Sequence, residues 1–434
     1  MIKETTMSKF IKTGFVIYCL MLALQIIAQG YICYNDALHS EQYYTFWHFS
    51  EWLINYQGGF VRRGLCGEAL LFIHRTFGAD ISLILYTVLY ISTISLIILT
   101  VVIFRKNRLS MTILPTVILL GGFAMNIIPA YRRDALVLIA VFTTLYFYRQ
   151  YIRNRKTIYY ILFCTCSVFV ILTHEASFFI FAPFILYHQH TGDVNSGHIS
   201  KLKKSFIFMM PAITAMGAVC LFKGNEDTAN VIWNSYAQFF NEKFGHTPQI
   251  GLGVDALTWN SIETFRFHFA TNYTEPIIKH TPRFFAWTII FFFTFYLCAN
   301  SNRVRIFKYE KEDACSTFLS EILIIQFISL LPMLTVLSCD LRRVTIYWTI
   351  SSFFIYSLFN KHKIGFNKTY LTFIAERANA FFNKSSMLSN RFFFLLIAIT
   401  IVCPFSGFAL EAVCKSSIIG NITEILKRVM LFIA

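Results

Sequence analysis

The feature that most constrains this chain is the recurrence of long apolar stretches from one end to the other. A core helix of a soluble protein rarely stays apolar beyond about 14 residues, whereas a helix needs roughly 17–25 to cross the ~30 Å hydrocarbon layer of a bilayer. Eleven candidate spans can be drawn, at 12–32, 81–104, 111–129, 135–148, 158–173, 176–188, 205–222, 284–299, 317–338, 344–360 and 392–410. The shorter ones call for tilt, breaks or pairing. Hydrophobic side chains make up 56% of the chain and charged ones only 14%, which excludes an ordinary soluble domain. The fold class read from this pattern is all-α: a polytopic transmembrane helical bundle of about eleven spans. It forms a single integral membrane domain over 1–434, whose outside loops carry short interfacial helices.

Orientation follows from where the positive charges fall. Lys3, Lys9 and Lys12 precede a long apolar run with no Ala-x-Ala-like cleavage site, so the first span reads as a retained anchor. Threading from an inside N-terminus puts 23 Lys/Arg against 7 Asp/Glu in the cytoplasm, and 15 against 16 outside. That asymmetry carries the formal net charge of +15 and is what the positive-inside rule predicts. The basic balance therefore reports topology, and no basic-aromatic groove for nucleic acid is present. The C-terminal stretch 418–433 is amphipathic and reads as lying on the outer surface.

The outside loops hold the informative residues. The first, 33–80, carries Asp36, the aromatic stretch Tyr43 to Phe49, and then Gln57-Gly58-Gly59-Phe60-Val61-Arg62-Arg63-Gly64-Leu65. Residues 65–77 follow with helical spacing, read as an interfacial helix with the loop's aromatics at headgroup depth. A tiny loop holds Arg132-Arg133-Asp134, and another interrupts an apolar hairpin with His174-Glu175. A long loop spans 223–283, and the last holds Asp340-Leu341-Arg342-Arg343.

Three double arginines thus stand on the side that positive-inside topology should keep poor in arginine. A guanidinium presents a planar fork to phosphate oxygens and keeps its charge when desolvated. Arg62, Arg63, Arg132, Arg133, Arg342 and Arg343 are therefore candidates for contacting a lipid-linked diphosphate, with Asp134 and Asp340 as supporting acids. Single arginines at interfaces also snorkel to lipid phosphates or pair with local acids, so the argument rests on the three pairs together. Asp36, His174 and Glu175 are the candidates for proton transfer. For each, a structural aspartate at a helix end or a buried hydrogen-bonded pair is the competing reading.

Other chemistry is not signalled. The His-Glu-x-x-His zinc motif fails because Phe178 stands at its second histidine position. His188, His190 and His198, with Asp193, match no metal template and read as solvated loop residues. Phosphate loop, nucleophile elbow and dinucleotide fingerprint are all missing, so neither metal nor cofactor is expected. Eleven cysteines are scattered, and a disulfide among Cys33, Cys66, Cys339 and Cys414 has no framework spacing behind it.

With Asp36, Gly-Gly-Phe-Val-Arg-Arg-Gly, Arg-Arg-Asp at 132–134, Asp340 with Arg342-Arg343, and the long loop 223–283, the chain resembles the Wzy-type O-antigen and capsule polymerases, and the wider GT-C-like membrane glycosyltransferases. The resemblance covers roughly residues 12–410. It implies an undecaprenyl-linked glycan substrate, chemistry on the periplasmic face of a bacterial inner membrane, membrane lipid around the chain, and other polysaccharide-assembly membrane proteins as partners. In a polymerase, arginines hold the diphosphate of the growing chain while an acceptor hydroxyl displaces it. In a GT-C transferase, a first-loop aspartate acts as base and the donor is a lipid monophosphate. Asp36 fits that position, but its neighbours are Asn35 and Ala37, where a second acid often stands, which favours the polymerase. A flippase or other polysaccharide transporter is the rival reading, disfavoured because ionisable groups gather at one membrane edge rather than along the spans.

Overall fold

The computed structural model describes residues 13, 34–35, 38–107, 133–192, 198–269, 317–333, 337, 341–359 and 370–384. Among them every regular element is helical and no strand occurs. The expected spans at 111–129, 284–299 and 392–410, that at 12–32 apart from residue 13, and the stretch 418–433 lie outside the described residues. So do Asp36, Arg132, Asp340, Cys33, Cys339 and Cys414. The chain divides into two compact units: 30–97 with 129–266, and 1–29 with 98–128 and 267–434.

The first unit opens with two short helices, α1 (Glu41–Thr45) and α2 (Trp47–Ser50), and a 3-10 turn at Glu51–Leu53. Helix α3 (Gly64–Phe77) follows, where 65–77 had the helical spacing. It stops because Gly78 takes a left-handed φ of 63° and returns its N–H to His74 O, while His74 and Arg75 place basic side chains in the last turn. Asp80 starts α4 (Ile81–Lys106): its Oδ1 accepts from the N–H groups of Ser82 and Leu83 at 2.7 and 3.2 Å.

Helix α5 (Asp134–Asn154) carries Asp134 in its first turn and Arg153 in its last, complementing the helix dipole. It packs along α6 (Thr157–Thr173), and α7 (Ser177–Gly192) returns against α5 after the His174-Glu175 turn. Helices α8 (His198–Phe208) and α9 (Met210–Leu221) are separated by a 67° bend. Pro211 lies at the start of α9, where a missing N–H does no harm. Helices α4 and α5 are each long and apolar enough to cross a membrane, and the bent α8–α9 pair qualifies if counted as one span.

Beyond Lys223 the chain forms α10 (Glu226–Asn234), α11 (Ala237–Phe244), α12 (Leu252–Asp255) and α13 (Ser261–Phe269). Asn225 caps α10 by accepting Thr228 N–H at 2.8 Å. The aromatics expected at headgroup depth are instead largely interior. Tyr43, Tyr44, Phe49 and Trp52 pack with Leu70, Leu71, Trp233, Tyr236, Phe239 and Phe240 in one core, so the first loop and the first half of the long loop fold on each other. Burying such side chains contributes roughly 1.5–3 kcal/mol each relative to leaving them exposed. Phe46, at 58% exposure, and the half-buried Trp47 stand outside this core.

Glycines permit close approach within the first loop and between it and the long loop. A Cβ on Gly253 would stand 2.5 Å from the Glu51 nitrogen, and one on Gly67 would stand 2.0 Å from the Ile54 carbonyl oxygen. The segment around α12 is thereby pressed onto the Ser50-Glu51 backbone, and Gly253 N–H donates to Ser50 Oγ at 2.8 Å.

Two further expectations are corrected here. His188 and His190 lie on α7 rather than in a solvated loop; His188 is buried and Nδ1 pairs with the Tyr148 hydroxyl at 2.9 Å. The apolar period of α7 simply continues through them. The Cys66 thiol is free and buried, so it forms no disulfide.

The second unit holds α14 (Thr317–Pro332), α15 (Leu341–Phe359) and α16 (Tyr370–Lys384), with α14 packed on both of the others. Polar groups bridge these apolar helices. Trp348 Nε1 donates to Leu323 O at 2.8 Å, Ser351 Oγ to Gln326 Oε1 at 3.2 Å, and Thr372 Oγ1 to Glu321 Oε1 at 3.1 Å. Such bonds hold helices together where neighbouring lipid offers no competing partner.

Candidate functional site: a buried arginine and carboxylate cluster

Three separate segments of the first unit converge on Arg63. The Gly58-Gly59 turn, with Gly59 at a φ of 102°, brings the chain round after the 3-10 turn, and Arg63 becomes the residue that starts α3. Arg63 itself adopts a left-handed φ of 63°. For a residue with a Cβ this costs roughly 1–3 kcal/mol, and such strain collects at functional sites. The conformation turns the side chain one way and the carbonyl the other.

The side chain meets two carboxylates. Arg63 Nη1 donates to Glu51 Oε1 at 2.5 Å; Nε donates to Glu175 Oε1 and Oε2 at 3.0 and 2.8 Å, and Nη2 to Glu175 Oε1 at 2.5 Å. Glu51 is 1% exposed and Glu175 about one-fifth exposed, so the fork closes on one deep acid and one at the rim. Burial works to raise the Glu175 pKa, but the adjacent Arg63 guanidinium more than reverses it and holds the carboxyl well below the ordinary range.

The carbonyl of Arg63 faces Arg133. Nη1 of Arg133 donates to Arg63 O at 2.9 Å and to Thr173 O at 3.0 Å, tying the ends of α3, α5 and α6 together. Its guanidinium lies 5.3 Å from the Trp52 ring centroid, a cation–π contact. Arg133 is completely buried, and burial lowers its pKa from the ordinary value, although a guanidinium keeps its proton. Leaving a buried donor without an acceptor costs about 1–3 kcal/mol, more for a charged group. Two of its donor nitrogens, Nε and Nη2, find no acceptor among the described residues.

Arg62 points elsewhere. Its Nη2 donates to Ala256 O at 3.0 Å and its backbone N–H to Phe222 O at 3.3 Å, anchoring the start of the long loop and the segment after α12. Burial, then the neighbouring Arg63 charge, lowers its pKa. His174 is buried beside Glu175, with Nδ1 accepting Ala176 N–H at 3.2 Å. Asp134 is buried in the first turn of α5.

Of the residues singled out from sequence, Arg62, Arg63, Arg133, His174 and Glu175 thus come together from three loops. Arg342 and Arg343 lie in the second unit, in the first turn of α15, where the helix dipole disfavours a cation. Arg343 is buried, with Nη2 3.5 Å from the Tyr347 hydroxyl one turn on. Glu51, Trp52 and Tyr56 escaped notice. A lone acid straight after Tyr43 to Ser50, in an otherwise aromatic stretch, was the available signal for Glu51.

Chemically, the cluster offers cations held in place by burial and hydrogen bonds, a carboxylate kept ionised, and buried donors able to meet an anion. Among the described residues no group of three His, Cys, Asp or Glu side chains is placed to hold a metal ion. The family model described as "Uncharacterised membrane protein Rv1490" matches residues 15–243, just over half of the chain. That range includes Glu51, Arg62, Arg63, Arg133, His174 and Glu175. No curated protein and no solved structure matches the chain.

Proposed function

The chain belongs to this membrane-protein family, and from that premise we propose that it is a membrane glycosyltransferase of surface-polysaccharide assembly. In this reading it polymerises undecaprenyl-diphosphate-linked repeat units at the periplasmic face of a bacterial inner membrane. About eleven spans thread the bilayer, with the N-terminus in the cytoplasm and the C-terminus in the periplasm. The observation that carries the proposal is the convergence of Arg63 and Arg133 with two carboxylates at one edge of an apolar helical bundle, with Arg62 beside them on the chain.

The chemistry follows from those parts. An acceptor hydroxyl attacks the anomeric carbon, the bond from that carbon to the lipid diphosphate breaks, and the leaving diphosphate takes the electron pair. Arginines around the leaving group stabilise the charge it gathers. The hydroxyl proton passes to a carboxylate, with Glu175 the more accessible of the two. In the resting cluster Glu175 is a weak base, because Arg63 lowers its pKa. When a diphosphate draws the Arg63 fork away, that carboxylate loses its partner and becomes a stronger base. Donor arrival and base strength are thereby coupled.

A second reading has a specific observation behind it. Glu51 belongs to the first loop and touches Arg63, which suits a GT-C-type transferase with a polyprenyl-phosphate donor. Surface glycan from a strain lacking the gene, run beside its complemented parent, separates the two. Glycan capped at a single repeat unit supports the polymerase, and a full ladder of altered repeats supports the transferase. Complementation with Arg133→Gln should fail while the protein stays in the membrane. An unchanged ladder in the deletion strain would sink both readings.

A further inference from the structure

Four buried donor atoms near the Arg63 cluster meet no partner among the described residues: Nε and Nη2 of Arg133, the Tyr56 hydroxyl, and Oγ of Ser177. They belong to three segments that meet at the Arg63-Gly64 peptide and the Thr173-His174 turn. The Arg63-Gly64 peptide receives Arg133 Nη1 through its carbonyl at 2.9 Å. The Tyr56 ring lies on the same peptide, so close that a Cβ on Gly64 would stand 2.3 Å from Cε1 and 3.0 Å from Cζ. On the other side, Thr173 O takes the same Arg133 nitrogen at 3.0 Å, and Ser177 N–H bonds His174 O at 3.0 Å at the entry to α7. Protein interiors pair nearly all such groups, and each unpaired one calls for an explanation, a bound ligand or ion among them.

The chemistry of the set selects the ligand. A guanidinium edge and two hydroxyls are donors to an acceptor-rich, negatively charged group. Burial, the largest influence, pushes the Tyr56 phenol up to about 12, so it keeps its proton and donates. The Nε–Nη2 edge of an arginine matches two oxygens of one anion side by side. A carboxylate held this way would have only the outer lone pairs of the same two oxygens to offer the hydroxyls, all in one plane, whereas a tetrahedral phosphoryl group has further oxygens out of that plane. We propose that Arg133, Tyr56 and Ser177 form a buried phosphoryl subsite beside the Arg63 carboxylate clamp. It rests on the glycosyltransferase reading and divides the labour within it: Arg133 holds phosphate, and Arg63 governs the carboxylates.

The test uses the full chain in nanodiscs, with inorganic pyrophosphate and farnesyl diphosphate as the two probes in calorimetric titration. Wild type binds at least one probe saturably. Tyr56→Phe and Ser177→Ala each weaken binding about tenfold, roughly 1.4 kcal/mol, with unchanged melting temperature. Arg133→Lys, which keeps the charge and loses the fork, weakens it further. Equal affinity for the two probes identifies the free phosphoryl group as what is recognised, and tighter farnesyl diphosphate binding identifies a lipid-carried one; both uphold the subsite. Failure of wild type to bind either probe overturns it, as does binding unaltered in Tyr56→Phe and Ser177→Ala. Titration and glycan gel fail separately: probe binding with an unchanged ladder in the deletion strain would leave the subsite standing and remove the glycosyltransferase.

Discussion

Arg63 and Lys243 both reach from one segment of the first unit into another, and both close on carboxylates. Lys243, on α11, places Nζ 3.1 Å from Asp80 Oδ2, 3.0 Å from the Tyr44 hydroxyl and 3.2 Å from Ser82 Oγ. Its ammonium has three donors, and each has an acceptor. The Tyr44 and Phe239 rings lie 5.5 and 5.3 Å away and pack the stem and head from the sides. Everything in that cluster is matched, and it pins the long loop to the start of α4. Around Arg63 the fork is also filled, but the residue is held in a left-handed backbone, and its neighbour Arg133 keeps two donors without acceptors among the described residues. A saturated cluster has reached its lowest state without a ligand. The other has not, and this separates a fastening from a site.

The comparison breaks most readily at Arg63. Removing it takes the bonded cation from Glu51, which is 1% exposed and cannot reach water. Arg63→Ala should therefore cost about 3–5 kcal/mol, the usual penalty for breaking a buried ion pair from one side. Arg63→Gly removes the same charge but suits the left-handed backbone, and should recover roughly 1 kcal/mol of that loss. Thermal unfolding in detergent checks both, and equal melting temperatures for the two variants would refute the claim of stored backbone strain.

Acid should sharpen the comparison to a smaller extent. The Glu175 pKa is depressed in the folded protein, so its pairing stabilises fully above the ordinary carboxyl value near ~4.3 and is lost as pH falls through the folded value. Melting temperature followed from neutral pH downward should decline below about 4.3, and less steeply in Glu175→Gln. At neutral pH Glu175→Gln should already be less stable, by about 1–3 kcal/mol. Parallel curves for the two proteins would mean that the Arg63 fork does not discriminate between charged and neutral Glu175.

Much of this site was legible one loop at a time. Arg62 and Arg63, Arg133, and the His174-Glu175 interruption each stood out as charge where topology gave no reason for it, and helix α3 stood out by its period. Periodicity says which residues share a helix face, not which loops meet, so the mutual folding of 41–77 with 223–257 was hidden. It turned interfacial-looking aromatics into a core. Glu51 was hidden for the same reason: its burial is created by Gly253 and the segment around α12, some two hundred residues later in the chain. The left-handed Arg63 was equally invisible, because a conformation that glycine or asparagine normally signals is here imposed on an arginine by its partners.

Lys243 supplies the smallest expected effect and the sharpest contrast. In Lys243→Met the apolar stem is retained against Tyr44 and Phe239, and Asp80, about a third exposed, can turn to water. The ordinary loss for a solvated ion pair is ~1 kcal/mol or less, and Tyr44 still has Ser82 as a partner. The variant should melt slightly lower and give a full surface-glycan ladder at moderate temperature. Since it removes a cation from the same unit, it also controls for any general effect of positive charge. If Lys243→Met lost the ladder at normal protein level, as Arg133→Gln should, saturation would not distinguish a fastening from a site. A full ladder beside an empty Arg133→Gln lane would locate function in the cluster whose donors are incompletely matched.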